Sequence, residues 1–163
     1  MARGCALALI LLTAACSVVP KAFREGTTGQ PPFRHLAAGP EAYAGSRIVV
    51  GGEVAEVHAW GRGLAIEVIQ RPLGFRDRPE RERPSDGRFI ALVQEPIAAK
   101  ELYTGRRLTV VGVVRGAALR SSEEEPRRVP ELLAQYLHLW PDLTIGGRRF
   151  GIGINLQGSI GIK

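Results

Sequence analysis

Five short apolar stretches set off by glycine-bearing turns constrain this chain more than any other feature. Ile48 to Val57 alternates apolar and polar residues in its second half, Trp60-Gly61-Arg62-Gly63 reads as a turn, and Leu64 to Gln70 returns. Arg88 to Val93, Arg107 to Gly116 and Leu132 to Trp140 complete the set. Runs of this length with period two are the pattern of half-buried strands. Between the third and fourth, Pro96 to Tyr103 has helical character and stops at Gly105. Five strands with a helix in that place is the order of an OB-fold. Gly112, in the middle of the fourth strand, permits the curl that closes a small barrel, and the paired Gly51-Gly52 suggests a bend or bulge. The expected fold class is mainly β: a small five-stranded OB-like β-barrel with one short helix, occupying residues 45–141. Another small barrel or sandwich is the alternative.

What precedes the barrel decides where it works. Arg3 stands ahead of an apolar run from Ala6 to Leu12, and small residues then lead into Cys16. That is the n-region, h-region and small-residue order of a secretory signal, with the cysteine placed as in a bacterial lipobox. The apolar run falls well short of the ~20 residues a membrane span needs. Residues 1–15 are therefore read as a lipoprotein signal peptide and Cys16 as the lipidation site, its thiol carrying diacylglycerol and its amine a further acyl chain such as palmitate. Several chains are needed, because each buried methylene contributes only about 0.8 kcal/mol. Cys5 leaves with the signal, so no disulfide forms within the mature chain. Ser17 follows the cysteine where an aspartate would argue for inner-membrane retention, which points to the outer membrane, lipid-anchored and periplasm-facing.

Residues 16–44 are rich in proline, glycine and small side chains and read as a flexible tether, with a short helical turn at Pro40 to Gly45. Residues 142–163 form a glycine-rich C-terminal extension in which Ile and Leu alternate with Gly and polar residues. A packed strand or hairpin, a disordered tail and an interaction segment all suit that pattern. The chain carries 22 Lys and Arg against 16 Asp and Glu, a formal charge of +6. In an exported protein such charge meets anionic headgroups, lipopolysaccharide or peptidoglycan, and nucleic acid is not an expected partner. Arg76 to Arg83 alternates acids with bases, the habit of a solvated loop.

No catalytic constellation stands out. His35, His58 and His138 lack metal-ligand spacing, so no metal is expected. Ser121-Ser122 has no nucleophile-elbow context, Gly151-Ile152-Gly153 lacks the third glycine of a dinucleotide loop, and Glu123 to Glu125 are contiguous. The chain is read as a non-enzyme without a cofactor beyond its lipid. If the barrel binds anything, OB-folds do so on the face of strands two and three, where Trp60, Arg62, Arg71 and Arg88 form the candidate ligand or partner face. The competing reading gives Trp60 to the barrel end and Trp140 to the core.

The segments named so far resemble the Slp family of outer-membrane lipoproteins. The resemblance rests on Cys16, Pro40-Glu41-Ala42-Tyr43-Ala44-Gly45, Gly51 to Val57, Leu64 to Val68, Gly87 to Ala91, Gly105 to Gly112, and Tyr136-Leu137-His138-Leu139-Trp140, all in the family's order. Pro126 to Pro130 departs from it, standing where a Tyr-Pro pattern is commoner. The resemblance implies outer-membrane lipidation, expression linked to starvation or stress, and no established enzymatic activity. A non-catalytic envelope structural or interaction module follows from it. A periplasmic carrier of a small apolar or oligosaccharide ligand is the alternative.

Overall fold

The computed structural model describes residues 17–95, 97, 99–121, 126–141 and 152–155. The expected signal peptide, the expected lipidation residue Cys16 and most of the expected C-terminal extension lie outside the described residues. Among the described residues six strands form, β1 (Arg47–Trp60), β2 (Gly63–Gln70), β3 (Arg88–Val93), β4 (Arg107–Ser121), β5 (Pro126–Leu139) and β6 (Ile152–Asn155). They pair in the order β3-β2-β1-β4-β5-β6, and a parallel β3–β5 contact closes the first five into a barrel. This is the OB-like closure expected from the strand order.

Each strand's alternation shows why the barrel closes. Ile48, Val50 and Val54 of β1, Ile66 and Val68 of β2, Phe89, Ala91 and Val93 of β3, Leu108, Val110 and Val114 of β4, and Leu132, Ala134, Leu137 and Leu139 of β5 meet in one buried cluster. A bulge at Ala55 of β1 and another at Gln135 of β5 shift the parity, so that Val57 and Leu137 again face inward. The first bulge falls three residues past Gly51-Gly52, the pair at which the sequence suggested a bend or bulge. The second lies opposite Gly112, whose added Cβ would stand 3.0 Å from the Leu133 carbonyl oxygen. β1 is shared: Arg47 to Glu53 pair with β4 and Gly52 to Trp60 with β2. The glycine pair sits at this handover.

The expected helix at 96–103 is, among the described residues, a single 3-10 turn at Ala99–Glu101. Ile97 and Leu102 on either side supply the apolar cover at that end. The opposite end is closed by the segment expected to be a tether. Two short helices form there, α1 (Lys21–Arg24) and α2 (Phe33–Ala38), followed by a 3-10 turn at Pro40–Tyr43. Phe33 and Leu36 enter the main core, with Phe33 6.0 Å from the Phe89 ring centroid. Gln30 completes the cover. Its side-chain amide donates to the Val49 carbonyl at 2.8 Å and accepts from the Val49 N–H at 2.7 Å, satisfying β1 where β2 does not reach it. In the C-terminal extension, β6 adds antiparallel to β5 from Leu139↔Ile152 to Tyr136↔Asn155. That is the packed-strand alternative.

Candidate functional site

The outer surface of the barrel divides into three regions. The first lies where the described chain begins. Val18, Val19 and Phe23 cover an apolar patch made by Val49, Val111, Tyr136 and Leu73. Phe23 and Tyr136 rings lie 5.2 Å apart, and the Tyr136 hydroxyl donates to the Val18 carbonyl at 3.1 Å. Burial raises the Tyr136 pKa, so the hydroxyl stays a donor. The loop after β2 folds back through a Leu73↔Pro79 bridge and ends in a 3-10 turn at Phe75–Asp77. Asp77 is the hub: its carboxylate takes the Ser17 hydroxyl and pairs with Arg24, while its carbonyl accepts from Thr109 Oγ1 at 2.7 Å. Thr109 in turn accepts from Trp140 Nε1 at 2.9 Å, and the Arg78 guanidinium lies 5.8 Å from the Trp140 ring centroid. Trp140 therefore stands on the outer face, not in the core.

His138 belongs to this region. It is 6% exposed, its ring meets Trp140 edge-on at 4.7 Å, and its Nδ1 has no hydrogen-bond partner. Burial, and secondarily the Arg106 guanidinium, lower its pKa from 6.5 to about 4. The unfolded chain thus takes up a proton below about pH 6.5 while the folded chain does not until about pH 4. The contribution to stability is flat above pH 6.5 and is lost as pH falls between those values. About 2 kcal/mol is expected after allowing for screening. His138→Phe keeps the ring packing and removes the titration. Its melting temperature should fall less than that of the parent between about pH 7.5 and 4.5. Equal falls would assign the acid sensitivity elsewhere.

The second region contains two of the four residues proposed for a ligand face. Trp60 and Arg62 flank the β1–β2 turn, and with Gly61, Gly63 and Gln94 they line an open recess of about 410 Å³. Trp60 is half-buried against an outer apolar group of Ile90, Leu92 and Val129 and does not cap the barrel end. Arg71 and Arg88 lie at the other end of β2, roughly 23 Å away at ~3.3 Å per residue. There they are held by acids, Arg71 on Glu53 and Arg88 on Glu67, each at 2.8 Å. The four residues fall into two separate sets. The acids that draw the arginines off, Glu53 and Glu67, carry no motif in the sequence.

The third region is the outer side of β1 and β2, where Glu56, His58 and Glu67 place ligand atoms within 4.8 Å of one another. Tetrahedral ligands ~2.1 Å from a zinc ion would stand about 3.4 Å apart. Glu67, 8% exposed, already pairs with Arg88, and His58 Nε2 lies 3.0 Å from Glu56. A guanidinium in contact with one ligand opposes a second cation there. This trio reads as ion-paired acids on a strand pair.

A second cleft, of about 300 Å³, runs beneath Gln30 to Phe33 against β1 and the end of β2. No helix among the described residues is long and apolar enough to cross a membrane. The family model described as "Outer membrane lipoprotein Slp family" matches residues 13–150. No curated protein matches the chain.

Proposed function

We propose, on the premise that the chain belongs to the outer membrane lipoprotein Slp family, that it is a non-catalytic envelope module, lipid-anchored through Cys16 and facing the periplasm. The observation that carries this reading is the filled interior. The barrel is packed by Val, Ile, Leu and Phe side chains from all five strands; the recess beside Trp60 opens on the outer surface, and the cleft under Gln30 to Phe33 meets the core only at the end plugged by Phe33 and Leu36. A five-stranded barrel has no room for a ligand once its inward residues are in place. This favours docking to an envelope protein, peptidoglycan or lipopolysaccharide over carriage of an apolar ligand. The family also supports a role in starvation or stress, which would appear as a rise in protein abundance on entry into stationary phase.

Membrane fractionation with labelled fatty acid tests the anchor. The parent chain should carry the label and recover with the outer membrane, and Cys16→Ala should lose both. An unlabelled, soluble parent would overturn the proposal. So would stoichiometric lipid copurifying with the protein beyond that bound at Cys16, which would favour the carrier.

A further inference from the structure

The described chain starts at Ser17, and Ser17 is fixed to the barrel by the Asp77 carboxylate and by Arg24 Nε at 2.8 Å. Cys16 is the preceding residue, so its Cα is held about 3.8 Å from that of Ser17. Acyl chains attached at Cys16 would join the chain one residue from the clasp of Ser17 on Asp77. The tip is unusual in its own right. Phe75 is 76% exposed, and the Arg76 guanidinium lies 6.0 Å from its ring centroid. Arg76 and Asp77 are successive non-glycine residues in the left-handed region, at φ 59° and 64°. Each such residue costs roughly 1 kcal/mol or more. The strain turns Asp77 inward onto Ser17 and leaves Phe75 and Arg76 outward. Pro20, Lys21 and Ala22 are exposed on the adjoining segment, where Glu25 is the one exposed acid.

We propose that the Phe75–Asp77 tip and the exposed side of Pro20–Ala22 form a platform that seats the barrel directly on the phospholipid surface holding its acyl chains. This rests on the reading of Cys16 as the lipid anchor. An aromatic ring beside cationic groups suits the interface, with the ring at headgroup depth and Arg76 and Lys21 toward phosphates. The barrel then stands in one orientation on the membrane instead of swinging on a tether. The protein surface that meets a partner is whichever side the platform turns outward.

Site-directed spin labelling of the lipidated full chain tests this in vesicles of phosphatidylethanolamine and phosphatidylglycerol. Labels are placed at Phe75→Cys and, as a control, at Leu119→Cys. Leu119 is 74% exposed and lies ten residues along β4 from Thr109, about 30 Å. The label at position 75 should be severalfold more accessible to oxygen, relative to a water-soluble nickel complex, in the lipidated chain on vesicles than in the unlipidated Cys16→Ala chain in buffer. The label at 119 should not change. Equal aqueous accessibility of the two labels on vesicle-bound protein would overturn the platform while leaving the anchor intact. A position-75 label shielded equally in the unlipidated Cys16→Ala chain in buffer would assign the patch to protein contact and also overturn it. Failure to bind vesicles, with no acyl mass on Cys16, would instead remove the anchor and the platform with it.

Discussion

Gly52→Val is expected to abolish the cooperative unfolding transition of the barrel. A Cβ at this position would stand 2.0 Å from the Ile69 carbonyl oxygen and 2.8 Å from its carbonyl carbon. Both are backbone atoms, so no rotamer change relieves the contact. Gly52 is also the residue where β1 passes from β4 to β2, pairing with Leu108 on one side and Gln70 on the other. Moving β1 away from β2 to admit a side chain breaks the ladder at the seam joining both halves of the barrel. The cost should exceed about 4 kcal/mol, most of the stability at the lower end of the 5–15 kcal/mol typical of a domain. Gly39→Ala is the control, since nothing lies within 4 Å of its added Cβ. Its unfolding free energy from urea titration should stay within about 0.5 kcal/mol of the parent. A Gly52→Val chain that melts like Gly39→Ala would show that β1 and β2 do not approach as closely as described.

The same strand pairing explains what period two could reveal. β3 is buried on both faces from Phe89 to Val93 and β2 over much of its length, so both read as near-continuous apolar runs with visible ends: the expected 64–70 and 88–93 became Gly63–Gln70 and Arg88–Val93. β4 and β5 run further than their apolar pattern, with Leu119↔Arg128 and Arg120↔Arg127 in register beyond the barrel. There Leu119 and Arg128, a backbone-paired couple, are both exposed, so hydrophobic alternation carries no signal. The segment before the barrel shows no period for the opposite reason. Its apolar residues Val19, Phe23, Phe33 and Leu36 are too few and too widely spaced to show a period, while its prolines and glycines resemble a linker's. Proline at 31, 32 and 40 in fact frames the six-residue α2. The four-residue ligand face was drawn from strand order alone. Strand order places Arg71 and Arg88 near β2 and β3 but says nothing of Glu53 and Glu67, the acids that hold them.

Leu36→Ala is expected to lower the unfolding free energy by about 2–4 kcal/mol, although the residue lies outside the barrel strands. A six-residue helix is far too short to persist on its own in water. Burial must therefore order α2, and Leu36 at 1% exposure is its most deeply buried residue. It shares the core with Phe33, and this pair fills the barrel end formed by the start of β1, the end of β2 and the start of β3. Truncating Leu36 leaves a cavity that strand backbones, locked by their ladders, cannot collapse to fill. For a domain of this size the loss corresponds to a fall in melting temperature of roughly 8–20 °C. Leu36→Asp should go further, because a carboxylate enclosed by Val, Ile and Phe has no partner. A tether would give a different result: both variants within about 0.5 kcal/mol of the parent, as for exposed substitutions. The outcome also bears on the membrane platform, since a segment that plugs the barrel from Leu36 and clasps it from Ser17 leaves the lipid anchor no slack.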